Sequence, residues 1–307
     1  MLPTENCFKG LLSIADCHPN AVVTSRLKRM TSILGKIGRP NGSYQLGTMD
    51  DIGGCRLILE DIGQVEAAVE SIRNEFKLKQ GSNSVKDYIL ESRASGYRSC
   101  YLVTMNCGED REYRVEVQVR TKLQHLWSTA VEAAGVIYDS DFKTEKPLEE
   151  VSGRDREIRR FFTIVSSLFA LEEGTSQVKG YRTTRESLVE QLKGVDQLDD
   201  LLNDLSIADD GVFVPQDPSL ADARGFYLLR FISDEQFLEI KNLGDGIGDA
   251  VAAYDGQENR TIEEPNDDFD HEDVVLAYAE SIVQLKLAFP NYSAKVGEFL
   301  ARVKEYV

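Results

Sequence analysis

The chain has 307 residues, 42% hydrophobic and 28% charged, with a mean hydropathy of −0.31. That is enough to bury a sizeable core, and no apolar run approaches the roughly 18 residues of a membrane-spanning helix. The formal net charge of −17 is split unevenly, −2 over residues 1–150 and −15 over residues 151–307, so the front half can carry a local basic site while the back half repels polyanions and argues against extensive nucleic-acid binding.

The N-terminal segment lacks the pattern of a secretory leader. The five cysteines are scattered with no C-x-x-C pair, and the three histidines lie far apart. This argues against structural zinc and for a reducing, cytoplasmic setting.

In chain order, residues 21–37 read as a helix with an apolar stripe of Val22, Val23, Leu27, Met30, Ile33, Leu34 and Ile37. The stretch from Cys17 to Met49 holds no acid but five bases, Arg26, Lys28, Arg29, Lys36 and Arg39. Residues 42–47 read as a loop, 52–59 as a strand and 63–76 as an amphipathic helix. Lys86 to Ile89 starts an extended piece, and Ser92 to Gly96 a turn. Residues 99–106 and 112–120 read as strands joined at Cys107–Asp110, and Thr121 as the N-cap of a helix running to about Tyr138. A charged connector (139–150) and helices over 154–171 and 183–205 follow. Beyond Asp209, residues 225–233 read as a strand, 234–254 as interrupted helix, 258–273 as an acid-rich solvated loop, and 271–289 and 293–307 as a closing helical pair. There is no internal repeat.

The most informative stretch is Arg114 to Thr121. Val115, Val117 and Val119 face one way in a strand, and Glu116, Gln118 and Arg120 the other. An acid, an amide and a guanidinium in a row suit metal and phosphate oxygens. Asp51, at the mouth of an earlier strand, is a candidate to join Glu116 in holding Mg²⁺, although taken singly the two read more readily as a turn cap and an exposed residue. Arg29, Ser32 and Lys36, with Arg26 and Lys28 ahead of them, form a candidate phosphate site. Lys86, Arg93 and Arg98 flank a turn that presents Tyr97 to a flat base. Arg154, Arg156, Arg159 and Arg160 read as a helix surface.

Together these segments resemble one family. Ser25-Arg26-Leu27-Lys28 with Ser32-Ile33 and Lys36 resembles its R-x-K…S-I…K segment, and Asp51-Ile52-Gly53-Gly54-Cys55-Arg56 its D-I-x-G-x-R strand. Lys86-Asp87-Tyr88-Ile89 with Gly96-Tyr97-Arg98-Ser99 resembles its K-D-Y-I…G-Y-x-S segment, and Glu116 to Thr121 its E-x-Q-x-R-T strand. The family is the RelA/SpoT nucleotidyltransferase domain, the (p)ppGpp synthetases. The resemblance implies an α+β fold, a mixed β-sheet flanked by helices, over residues 1–175. An acidic, mostly helical extension over 176–307 would follow, with a regulatory role open to it. It implies a cytoplasmic GTP pyrophosphokinase-like enzyme that moves the pyrophosphate of ATP to the 3′-hydroxyl of GDP or GTP. By motif, Arg26, Lys28, Lys36 and Arg56 would bind ATP phosphates with help from Ser32. Asp51 and Glu116 would hold Mg²⁺, and Glu116 would also take the hydroxyl proton. Tyr97 would stack on the acceptor base, Lys86 and Arg93 would contact acceptor phosphates, and Gln118 and Arg120 would support the site.

Two departures bear on the acceptor. Ser92-Arg93 stands where the family usually has Pro-Lys, and Tyr101 where it usually has His. They leave open a toxin-type enzyme acting on the tRNA 3′ end or on adenine nucleotides, against which the acidic back half argues. A silent nucleotide-binding signalling module is a further alternative, against which the intact Asp51, Arg56, Glu116 and Arg120 argue. No HD-type hydrolase motif occurs, so a synthetase-only member is expected. Fewer residues than usual precede the R-x-K segment, which leaves the start open. Homo-oligomerisation also stays open, as does control of the site by the acid-rich loop acting as a phosphate mimic.

Overall fold

The structure is a computed structural model. It describes residues 3–28, 30–38, 45–81, 84–108, 111–143, 148–211, 223–232, 237–263, 272–288 and 296–307. Its elements are α1 (Pro3–Ala15), β1 (Val22–Leu27), α2 (Met30–Ile37), β2 (Gly53–Leu59), α3 (Ile62–Glu75), β3 (Val85–Asp87), β4 (Cys100–Cys107), β5 (Glu112–Thr121), α4 (Lys122–Ile137), α5 (Gly153–Glu172), α6 (Arg185–Lys193), α7 (Leu198–Gly211), β6 (Gly225–Ile232), β7 (Phe237–Asn242), α8 (Ile247–Glu263), β8 (Glu272–Ala279), α9 (Ile282–Ala288) and α10 (Gly297–Lys304). All eight strands form one mixed sheet, in the order β3-β4-β5-β2-β1-β8-β6-β7. Among the described residues only the β2–β5 pairing is parallel.

Alternation along the strands divides the sheet into two faces. Val23 of β1, Cys55 and Leu57 of β2, Leu102 of β4 and Val115, Val117 and Val119 of β5 point to one face. There they pack with Phe8 and Leu11 of α1 and with Val65, Ala68 and Ile72 of α3. Burying this continuous apolar surface is the main force that orders the sheet. The opposite face is apolar where Val22 of β1 and Ile58 of β2 join Tyr227, Leu229, Val275 and Ala277 of β6 and β8 against Ile282 and Leu285 of α9. At the β1–β2–β5–β4 end it is polar. A separate helical core joins α4, α5, α6, α7 and α10. Trp127, Phe161, Phe162, Phe169 and Phe299 lie at its centre, and the Trp127 indole donates to the Phe162 carbonyl at 2.8 Å.

Several sequence expectations need correction. Residues 21–37 are not one helix: Val22–Leu27 is a strand, and α2 starts at Met30. The β-branched run Val22-Val23-Thr24 suits a buried strand between two partners, β2 and β8, and that pairing overrides the helical spacing. The span 183–205 is two helices, α6 and α7, separated at the Gly194 C-cap. Residues 234–254 contain β7 before α8, and 271–289 contain β8 before α9. The 258–273 stretch is partly α8, which runs to Glu263. Its centre, 264–271, lies outside the described residues, as do 42–44, 109–110 and 144–147. The part beyond residue 176 thus adds three strands to its helices, and these continue the front half's sheet through β1–β8 pairing.

The expected ends of α3 and α4 hold. Asp61 caps α3 by accepting from Gln64 N, and Thr121 caps α4 by accepting from Gln124 N. The Thr121 hydroxyl also donates to Glu173 beyond the end of α5, and Gln124 Nε2 donates to the same carboxylate at 2.8 Å. The end of α5 therefore braces the start of α4.

Candidate active site

The polar face of the sheet gathers the predicted residues. Opposed residues share a face, so the register is decisive. Glu116 opposes Gly54 of β2 and Val103 of β4, while Gln118 opposes Arg56 and Tyr101. Arg26 opposes Gly54 from β1, and Lys86 opposes Tyr101 from β3. Strands from four parts of the chain thus present Arg26, Arg56, Lys86, Glu116, Gln118 and Arg120 on one surface.

Above this surface lies a cleft of about 450 Å³, continuous with a smaller recess of about 130 Å³. Arg26, Asp51, Arg56, Glu116 and Gln118 line both; Lys28 lines the recess, and Lys36, Lys86, Arg93, Tyr97, Tyr101 and Arg120 line the larger space. Every predicted site residue with a described side chain therefore lines one continuous cavity. Ser32 lies on α2, but its side chain is outside the described part.

The charges explain how the cleft is held. Lys28 Nζ and Lys36 Nζ reach Asp51 at 2.8 and 2.5 Å, and both take the same oxygen, Oδ2. Burial works to raise the Asp51 pKa, but the two lysines outweigh it and hold the carboxyl below its ordinary value. Burial lowers the Lys28 ammonium despite Asp51. Just before Asp51, Asp50 takes Lys79 at 2.6 Å and Arg114 at 3.2 Å, which ties this loop to the segment between α3 and β3 and to the start of β5.

Glu116 behaves in the opposite way. Burial, and after it the charge of Asp51, raises its pKa above the ordinary value, although Gln118 Nε2 donates to its Oε1. Arg56 is lowered to about 9 by burial and then by Arg120 and Arg26. It remains charged at neutral pH. Arg120 is 1% exposed. Its Nη2 pairs with His125 Nδ1 at 2.7 Å, while its Nε has no partner among the described residues. Clustered cations that repel one another are suited to a polyanionic ligand.

The Gly-Tyr turn is built by packing. Gly96 has φ +93°, and a Cβ there would meet Ser166 Cβ at 2.9 Å and Trp127 at 3.1 Å, so both conformation and space require glycine. Arg93 stacks on Tyr88 at 4.5 Å and donates to its hydroxyl at 2.9 Å. It also lies 6.0 Å from the Tyr97 ring. Arg98 instead turns away from the cleft. It donates to Ser166 Oγ, the Ile89 carbonyl and the Ser176 carbonyl at 3.1, 3.0 and 2.6 Å, fixing the turn to α5. Arg98→Met should lower stability by about 2–3 kcal/mol through those unpaired acceptors. The check is the urea midpoint at unchanged slope. Of the α5 arginines read as a solvent surface, Arg159 is instead buried.

The sequence reading missed Glu132, Lys143 and Ser128, which also line the cleft. Glu132 Oε1 accepts from Lys143 Nζ at 2.5 Å. Burial would raise this carboxyl, but the charges of Lys143 and Arg56 hold it down to about 2. The available signal was its isolation, since Glu132 is the lone acid of α4.

Part of the chain is similar to known proteins. Residues 25–143 match the region found in RelA / SpoT proteins. The chain is 31% identical over 130 residues to the GTP pyrophosphokinase YjbM of Bacillus subtilis, covering 40% of this chain and 60% of that protein. It is 29% identical over 120 residues to the GTP pyrophosphokinase YwaC of the same organism, covering 36% and 56%. The chain thus spans less than two thirds of the curated relatives it matches. Among solved structures, it is similar to the small alarmone synthetase 1 of Bacillus subtilis bound to its product pppGpp, with TM-score 0.43, 22% identity and coverage of 60% and 96%. Among the described residues no helix is long and apolar enough to cross a membrane.

Proposed function

We propose that this chain, whose residues 25–143 are a RelA/SpoT region, is an alarmone synthetase that transfers the β,γ-pyrophosphate of ATP to the 3′-hydroxyl of GDP or GTP. The observation that carries the reading is the single polar sheet face on which Arg26, Arg56, Glu116, Gln118 and Arg120 converge, with Asp51 and two lysines at its rim. The names of the two curated relatives support it.

Arg26, Arg56, Lys28 and Lys36 bind the triphosphate and offset its charge. Arrival of phosphates gives both lysines a further anion beside Asp51 Oδ2. Tyr97 receives the acceptor base, and Lys86 and Arg93 receive its 5′ phosphates. These contacts bring the 3′-oxygen to the β-phosphorus in line with the bond that breaks. Glu116 accepts the hydroxyl proton as the O3′–P bond forms, and AMP leaves with the electrons of the broken P–O bond. Its raised pKa makes Glu116 a better base than an exposed carboxylate. Gln118 fixes its orientation.

Asp51 and Glu116 fit a divalent cation. They are two oxygen donors whose mutual repulsion raises Glu116, and both lysines reach Asp51 through Oδ2. Among the described residues no cluster of three or more acids, histidines or cysteines would hold a metal by itself. Mg²⁺ is commonly held by one or two carboxylates together with substrate phosphates. When bound, it would neutralise phosphate charge.

The test offers labelled ATP and Mg²⁺ with GDP, GTP, AMP or uncharged tRNA in turn. Label should enter GDP and GTP. Label only in tRNA or only in AMP would replace the reading, and label in none of them would leave a silent module.

A further inference from the structure

The proposed transfer leaves one group of cleft side chains without a task. Lys143 Nζ lies 5.9 Å from the centre of the Tyr97 ring. It donates to Ser128 Oγ at 3.0 Å and to Glu132 Oε1 at 2.5 Å. All four residues line the larger cavity. An ammonium therefore sits 5.9 Å from the ring on which a base would stack, with a carboxylate and a hydroxyl hydrogen-bonded to it. Glu132 is ionised at any working pH, so it can only accept hydrogen bonds, and the ammonium can only donate.

That pattern is selective. Guanine presents two adjacent donors, N1–H and the 2-amino group, beside the acceptor O6. A carboxylate takes both donors, and an ammonium takes O6. Adenine would turn its N1 acceptor toward the carboxylate, leaving two acceptors face to face and unpaired. Because a carboxylate has about four lone-pair sites, Glu132 can hold Lys143 and a base together.

We infer that Glu132, with Lys143 and Ser128, reads the hydrogen-bonding edge of the acceptor base and selects guanine over adenine. The inference rests on the reading of the cleft given above. The competing role is purely structural, Glu132 serving as counter-ion to Arg56 on the ATP side, and the two roles separate by ligand.

The probes are GDP, IDP (which lacks the 2-amino group), ADP and a non-hydrolysable ATP analogue. Binding to the full chain is read by calorimetry, without turnover. The wild-type chain should bind GDP about tenfold or more tighter than IDP, the effect of one well-made base contact. In Glu132→Gln, GDP affinity should fall to that of IDP while the ATP analogue binds as before. Lys143→Met should weaken GDP and IDP together, since both carry O6, and ADP less. It also serves as the test if Glu132→Gln does not fold. Equal losses of GDP and IDP in Glu132→Gln, an unchanged GDP/IDP ratio, or a parallel loss of the ATP analogue would each overturn the inference. If the wild-type chain makes a guanine product but the ratio stays fixed in the variant, only this inference falls. If it binds no guanine nucleotide at all, the proposed function falls with it.

Discussion

Glu116→Gln should lose pyrophosphate transfer by about 10³-fold, within the range expected for removing a positioned base. At the same time the variant should melt at or above the wild-type temperature at neutral pH. The folded state raises the Glu116 pKa through burial and then through Asp51, so it holds the proton more tightly than the unfolded chain. The contribution of this group to stability is therefore greatest below the ordinary glutamate pKa. It declines as pH rises toward the folded-state value and stays lower above it. Glutamine removes that cost and keeps a carbonyl oxygen for Gln118. The stability gap between variant and wild type should close in acid, where Glu116 is protonated. Activity should also fall in acid, as the base is protonated at a pH above that of an exposed carboxylate. Thermal melts and initial rates across pH check both. An active variant would remove Glu116 from the chemistry. A variant that melts well below wild type would mean the carboxylate is structural.

The second large effect concerns the C-terminal part. Deleting residues 255–307 should leave an unfolded or aggregating chain rather than an unregulated enzyme. The deletion removes β8, which sits between β1 and β6 in the sheet, and so exposes the edge of the strand that carries Arg26. It also removes α10, whose Phe299 is fully buried. That ring lies 6.2, 6.0 and 6.1 Å from the centres of Phe161, Phe162 and Phe169. Phe299→Ala alone should cost about 3–5 kcal/mol, and since α5 holds the Gly96–Tyr97 turn through Ser166, acceptor binding should weaken with it. Denaturant melts of the point variant and solubility of the deletion are the measurements. A soluble, folded deletion with full activity would show that the sheet closes without β8.

How much of this was legible in the sequence varies with the range of the contacts involved. The alternation from Arg114 to Thr121 carries its own face assignment, because period 2 is a local property. The Thr121 cap is local for the same reason. Val22 to Leu27 was misread because its apolar positions fit a helix as well as a strand. What decides is pairing with β2 and with β8, some 250 residues further on, and no window contains that. Val274 to Ala279 is a short apolar run of the kind that periodicity cannot assign. The convergence of Arg26, Asp51, Arg56, Lys86, Tyr97 and Glu116 came from motif order. The geometry explains it by register, but spacing alone could not supply register. Glu132 escaped notice because a single acid on a helix has many ordinary uses. Its partner Lys143 lies beyond the end of α4, where no helical spacing connects the two. Arg98 was read only as flanking the turn, and its role in fixing that turn to α5 rests on contacts with Ser166 and Ser176 that lie far along the chain.

The central claim is that this cleft moves a pyrophosphate, intact, from ATP to a ribose 3′-oxygen. Its most direct test is the product balance with ATP, GDP and Mg²⁺, followed by phosphorus NMR. The account predicts AMP and a guanosine nucleotide carrying a 3′-diphosphate, formed one for one, with no free phosphate or pyrophosphate at early times. Release of ADP, or of free pyrophosphate without a 3′-modified nucleotide, would contradict it.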